Sequence, residues 1–87
     1  MLNEAVVSPA EKIRKYIVDH APSVDTRHLG NDQPLAGIID SLAILGLIGF
    51  IEPEFSIEIS ASDVTDENFA TIGTIANLVE RLAKAKN

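Results

Sequence analysis

The sequence predicts an all-α domain, a small bundle of three main helices and one short helix with a long loop between the first two. Apolar residues recur at helical spacing in separate segments, and turn-forming residues divide those segments. The one alternating stretch, residues 56–60, has no second strand with which to pair. With 87 residues, of which 46% are hydrophobic, the chain is expected to fold as a single domain over residues 1–87.

The first helix is expected at about residues 8–20. Ser8 suits the N-cap, a proline follows at the first helical position, and Glu11 completes a capping box. The connection that follows, residues 21–39, is rich in proline, glycine, asparagine and aspartate, and so long a linker in a small domain is usually functional. Buried apolar side chains are expected to attach this loop to the core, namely Leu29 and Leu35.

The second helix is expected at about residues 41–53, beginning at Asp40 or Ser41. Pro53 lacks an N–H group and crowds the preceding turn, so it is expected to end or kink this helix. Residues 42–51 are ten amino acids without a charge, about half the length that a membrane span needs. No membrane segment is therefore predicted.

Two further helices complete the prediction. A short helix is expected at about residues 62–68, where Ser62 or Asp63 can serve as the cap. The last helix is expected at about residues 71–85, capped by Thr71 and carrying one apolar face.

The apolar run of the second helix supplies two faces. One is a core stripe of Ile44, Leu47, Ile48, Ile51 and Phe55. The opposite side carries a second set, here named the docking stripe: Leu42, Leu45, Gly46 and Gly49. Because a core-facing helix needs only about three apolar positions in seven, we expect the docking stripe to be exposed and to meet partner proteins. Glu52 and Glu54 would add an acidic rim, and the alternative is a fully buried central helix.

Charge and composition exclude several function classes. Residues 31–70 carry eight acids and no Lys or Arg, within a net charge of −6. Such a field repels nucleic acid and anionic lipid and attracts basic protein surfaces, although it can also serve solubility alone. The absence of cysteine and of calcium-loop spacing predicts no metal site. No signal-peptide pattern is found at the N-terminus, so we expect a cytoplasmic protein.

Asp40 and Ser41, taken alone, indicate only a helix start with the aspartate as cap. A hydroxyl in the first helical turn nevertheless lies beside unpaired backbone N–H groups, where an attached phosphate would be stabilised. A nucleophilic Ser41 would need His20 or His28 as its base, and so small a domain has little room for a substrate cleft. We therefore expect no enzymatic activity.

A longer pattern surrounds this serine. It reads Leu35-x-Gly37-Ile38-Ile39-Asp40-Ser41-Leu42, then an apolar helix, then Phe69-x-Thr71-Ile72 about thirty residues after the serine. In this combination the chain resembles the acyl carrier and peptidyl carrier protein family, over most of its length. The resemblance is greatest to stand-alone carriers that accompany dedicated adenylating enzymes.

The resemblance implies that a phosphopantetheinyl transferase uses coenzyme A and magnesium to attach 4′-phosphopantetheine to Ser41. The thiol of this arm would hold an acyl or aminoacyl group as a thioester, while the carrier itself catalyses nothing. The implied partners of this monomeric carrier are the transferase, an adenylating or acyl-loading enzyme, and downstream enzymes that process the cargo. By the same resemblance, Asp40 helps to position the transferase complex and Leu42 begins the docking face. The identity of the cargo stays open.

The chain also departs from the fatty-acid carriers, which usually bear several acids along the helix after the serine. Here Ala43, Gly46 and Gly49 occupy that stretch, and the first acid is Glu52. We therefore expect a narrower set of partners that dock through apolar contacts. The alternative function is a carrier-like interaction module that is never modified and docks through the docking stripe. A lipid-binding helical protein is the third hypothesis.

Overall fold

The computed structural model describes residues 8–20 and 29–85 of the chain. These residues form α1 (Pro9–His20), α2 (Ser41–Phe55), a 3₁₀ turn (Ala61–Asp63) and α3 (Ile72–Ala85). The predicted all-α fold class is confirmed. Within the described ranges, every helix is too short or too polar to cross a membrane.

Helix α1 begins as predicted. The hydroxyl oxygen of Ser8 accepts a hydrogen bond from the backbone N–H of Glu11 at 3.3 Å, which satisfies one of the unpaired donors of the first turn. Ile13 and Ile17, four residues apart, are both buried. The predicted stop at Pro22 lies outside the described residues.

Helix α2 continues two residues beyond its predicted end, with Pro53 inside its last turn. The prediction that Pro53 ends the helix is therefore wrong. Proline removes one backbone hydrogen bond and crowds the turn before it, and neither effect prevents the two following residues from completing the last helical turn. The helix ends at Ser56, which has left-handed angles of φ 57° and ψ 47°. The next residue, Ile57, donates its backbone N–H to the carbonyl of Glu52 at 3.1 Å.

The short helix predicted at about residues 62–68 is a 3₁₀ turn at Ala61–Asp63, so its predicted bounds are too long, and an irregular segment follows it. The cap is Ser60, whose backbone N–H and hydroxyl donate to the carboxylate of Asp63 at 3.1 and 3.0 Å. Farther on, the hydroxyl of Thr65 accepts from the backbone N–H of Asn68 at 3.0 Å. The backbone N–H of Phe69 also donates to the Thr65 carbonyl at 3.1 Å, so residues 65–69 form a single capped helical turn that does not continue.

Helix α3 begins with the cap that the sequence predicts. Thr71 and Thr74 exchange hydrogen bonds, each hydroxyl accepting from the backbone N–H of the other residue at 3.0 and 3.1 Å. The buried face of α3 consists of Ile72, Ile75, Ala76, Leu78 and Val79.

Each of the three helices packs against the other two around one apolar core. The loop before α2 contributes to this core as predicted, because Leu29 and Leu35 are both buried. The backbone N–H of Leu35 donates to the carbonyl of Ala70 at 2.8 Å. The end of the loop is thereby attached to the segment that leads into α3.

Candidate functional site

A closed turn leads into α2. The carbonyl of Leu35 accepts from the backbone N–H groups of Ile38 and Ile39 at 2.9 and 3.1 Å. Gly37, within this turn, has a φ of 87°, a conformation that glycine adopts without steric cost. Since Leu35 is wholly buried, the turn is anchored in the core and delivers the chain to Asp40 at the surface.

Asp40 is the N-cap of α2. Its side-chain Oδ1 accepts from the backbone N–H of Ala43 at 2.9 Å, and its carbonyl accepts from Ile44 at 2.9 Å. Its φ of −108° and ψ of −175° are extended, as expected for a cap. Ser41 is therefore the first residue of the helix, and its side chain is exposed.

An open cleft of about 740 Å³ has Ser41 at its edge. It runs between the turn before α2, the first two turns of α2 and the irregular segment before α3. Its lining is mostly apolar and includes Ile39, Ile44, Leu45, Val64 and Phe69. Ser41 thus belongs both to the first turn of α2 and to the edge of an apolar depression in the surface.

The two predicted stripes of α2 are present. In the docking stripe, Leu42 and Leu45 are 68% and 66% exposed, and both glycines are exposed. On the opposite side Leu47 and Ile51 are buried. The alternative of a fully buried central helix is therefore wrong. Val64, which the sequence analysis did not select, is 42% exposed and lines the same cleft as Leu45.

The two glycines of the docking stripe have different surroundings. A Cβ on Gly49 would meet nothing within 4 Å, whereas a Cβ on Gly46 would lie 2.8 Å from the hydroxyl of Tyr16. The ring of Tyr16 stacks on His20 and on Phe50, with centroids 4.0 and 4.9 Å away. Gly46 therefore also serves the packing of α1 against α2, which the sequence analysis missed. The four-residue spacing of Tyr16 and His20 indicates their stacking within α1, but nothing in the local sequence indicates the contact with Gly46.

The two glutamates of the predicted acidic rim, Glu52 and Glu54, both contact other parts of the protein. Glu52 accepts a hydrogen bond from the backbone N–H of Ile59 at 2.9 Å, which holds the chain that leaves α2. Glu54 pairs with Lys12 of α1 at 2.6 Å, and this lysine also lies 5.7 Å from the ring centroid of Phe55. A docking role for these two glutamates stays a prediction.

Among the described residues, no histidine lines the cleft at Ser41. His20 is exposed at the end of α1, where its ring stacks on Tyr16 and its Nδ1 contacts the Tyr16 carbonyl at 2.8 Å. His28 lies outside the described residues. Among the residues that the structure describes, no three His, Cys, Asp or Glu side chains form a group that could hold a metal ion.

Comparison with known proteins shows similarity of structure. No family model matches the chain, and no curated protein matches it. The fold is similar to a chain in a crystal structure described as that of an FAD-dependent dehydrogenase, with a TM-score of 0.70 and 26% sequence identity. The match covers 78% of this chain and 99% of that one, so the matched chain is itself only about 70 residues long.

Proposed function

We propose that this protein is a carrier that holds an acyl or aminoacyl group as a thioester on a 4′-phosphopantetheine arm attached to Ser41. The observation that carries the proposal is the placement of Ser41 as the exposed first residue of α2, directly after the Asp40 cap. Beside it lie the cleft and the exposed side chains of Leu42 and Leu45. A modifying enzyme needs an accessible hydroxyl and a neighbouring surface to hold, and both are present here.

The residues around Ser41 fit such an arm. The first turn of α2 has unpaired backbone N–H groups and the positive end of the helix dipole, which favour a phosphodiester. The neighbouring cleft offers apolar surface of suitable size for the organic part of the arm. When bound, the arm supplies the thiol that this cysteine-free chain lacks.

The proposed partners are a phosphopantetheinyl transferase, an adenylating or acyl-loading enzyme, and enzymes that process the carried group. The docking stripe supplies apolar contact for them. Because residues 31–70 contain no Lys or Arg, partners with basic residues around an apolar pocket are favoured. Such charges mainly raise encounter rates, which suits a carrier that must leave each enzyme. In this proposal the carrier is a cytoplasmic monomer.

The structural similarity adds one candidate partner. Because a chain of about 70 residues with this fold occurs in a crystal structure described as an FAD-dependent dehydrogenase, we include such an enzyme among those that process the carried group. Dehydrogenase activity of this chain itself is disfavoured. The Rossmann fold that binds dinucleotides is built on a parallel sheet, and residues 8–20 and 29–85 form helices, turns and irregular segments with one isolated β-bridge.

The alternative function is an interaction module that is never modified. The exposed docking stripe supports this alternative as well as it supports a carrier. The alternative needs no role for the serine hydroxyl, because Asp40 alone caps the start of α2. Only chemistry at Ser41 separates the two proposals.

The test is the intact mass of the protein after incubation with coenzyme A, magnesium and a broad-range phosphopantetheinyl transferase. Ser41→Ala is compared with Ser62→Ala, a matched control that removes another exposed hydroxyl from the acidic part of the chain. We expect one arm on the wild type and on Ser62→Ala, and none on Ser41→Ala. Folded wild type that stays unmodified with several transferases would leave the interaction module as the better account.

A further inference from the structure

Arg14 of α1 connects its own helix to the loop at residues 29–31 through one guanidinium group. Its Nε donates to the carbonyl of Leu29 at 2.9 Å, and its Nη1 donates to the carboxylate of Glu11 at 2.6 Å. Its Nη2 donates to the side-chain oxygen of Asn31. The side chain of Arg14 is 22% exposed. Its bond to the Leu29 carbonyl is partly buried, whereas its bonds to Glu11 and Asn31 are exposed. The planar guanidinium can make all three bonds at once.

Asn31 is held from a second side by α3. Its backbone carbonyl accepts from the N–H of Gly73 at 2.9 Å. A Cβ on Gly73 would lie 3.2 Å from that carbonyl oxygen, so a residue without a side chain permits this close approach. The side chain of Asn31 therefore contacts α1, while its backbone contacts α3.

Further backbone hydrogen bonds hold the loop between this contact and the start of α2. Gln33 donates its N–H to the carbonyl of Gly30 at 3.2 Å, and Leu35 donates to Ala70 at 2.8 Å. The turn closed by the Leu35 carbonyl then delivers the chain to the cap of α2. Arg14 fixes the beginning of this segment, and the buried Leu35 fixes its middle.

We propose that Arg14 is a positioning residue, which fixes the loop over residues 29–39 so that Ser41 is presented in one orientation to the modifying enzyme. This inference rests on the proposed function. Without the contacts to Leu29 and Asn31, the loop samples more conformations, and the enzyme binds only the competent fraction. The result is a higher KM for the carrier as substrate with little change in kcat, because the reacting groups are unaltered.

The test compares Arg14→Gln with Lys15→Gln in transferase kinetics. Both variants remove one positive charge from α1, but Lys15 is highly exposed and pairs with Asp19 of the same helix at 3.1 Å. We expect Arg14→Gln to raise KM by about tenfold, the loss expected for hydrogen bonds to a charged group, and Lys15→Gln to leave KM unchanged. Arg14→Lys keeps the charge but cannot reproduce the fork of donors, so its KM is also expected to rise.

A structural readout accompanies the kinetics. Amide hydrogen exchange at Gln33, whose N–H donates to Gly30 between the two loop residues that Arg14 holds, is expected to accelerate in Arg14→Gln and not in Lys15→Gln. Asn31→Ala serves as a second variant, because it removes the side-chain acceptor and leaves the backbone bond to Gly73 in place. The KM of Asn31→Ala is expected to rise. In the double variant Arg14→Gln/Asn31→Ala, KM should be only slightly higher than in Arg14→Gln, because both changes remove the contact between Arg14 and Asn31.

The outcomes separate this inference from the proposed function. Wild type that accepts the arm, together with Arg14→Gln and Asn31→Ala variants of unchanged KM, would overturn the positioning role and leave the carrier function standing. A raised KM with unchanged amide exchange in the loop would also overturn it. Folded wild type that accepts no arm would defeat the proposed function, and the role of Arg14 with it.

Discussion

The hydroxyl of Tyr16 lies 2.8 Å from the point where a Cβ on Gly46 would stand. The tyrosine ring is held there by stacking against His20 and Phe50. Gly46 is therefore both an exposed member of the docking stripe and part of the contact between α1 and α2. A substitution at Gly46 changes helix packing and the outer surface together.

Gly49→Ala and Gly46→Ala are expected to differ in stability. Replacing a helical glycine by alanine stabilises a helix by about 1 kcal/mol, and at Gly49 the added methyl group meets open space. At Gly46 the methyl group displaces Tyr16, so the free energy of unfolding should be lower than that of Gly49→Ala by about 1 kcal/mol or more. Urea unfolding measures both values. In a Tyr16→Phe background the difference should shrink, and equal stabilisation of the two variants in the wild-type background would contradict the contact.

Asp40→Ala should lower the free energy of unfolding by about 1 kcal/mol, because α2 loses the oxygen that accepts from Ala43. Asp40→Asn retains a capping oxygen and should lose less. Thermal or urea unfolding distinguishes the two variants. Equal losses would mean that capping is not the main contribution of this side chain.

Glu52 and Glu54 should differ in their effect on the chain after α2. Glu52→Ala removes the acceptor for the Ile59 amide, so hydrogen exchange at that amide should accelerate. Glu54→Ala removes an equal charge and breaks the pair with Lys12, but should leave this amide protected. Glu52→Gln, which keeps an oxygen acceptor, is the second control. Protection that persists in Glu52→Ala would argue that the glutamate is available to partners.

Leu45→Glu should slow attachment of the arm by about tenfold while leaving the fold intact, because a charge would enter the centre of the docking stripe. Since Leu45 is 66% exposed, little buried surface is lost. Asn77→Glu adds the same charge at an exposed position on α3 and should leave the rate unchanged. Normal attachment to Leu45→Glu, with every transferase and loading enzyme tried, would exclude the docking stripe as the contact surface.

Local patterns in the sequence predicted those parts of the fold that depend on local physics. The Thr71 cap and the two stripes of α2 follow from spacing within one segment, and the burial of Leu35 follows from an apolar residue in a polar loop. The candidate site was predictable to the same degree, because Asp40 and Ser41 begin a helix whose outer face is apolar. These features need no knowledge of distant residues.

Contacts between distant segments explain what the sequence did not predict. The hydroxyl of Tyr16 meets Gly46 only because α1 packs against α2. The guanidinium of Arg14 reaches Leu29 and Asn31 only because the loop returns to α1. Such contacts appear only when the segments have packed together.

The most direct test of the central claim is the position of the added mass, found by fragmenting the wild-type protein after incubation with coenzyme A, magnesium and a phosphopantetheinyl transferase. The account predicts a single arm, located on Ser41. An unmodified folded chain, or an arm on any other serine, would contradict it.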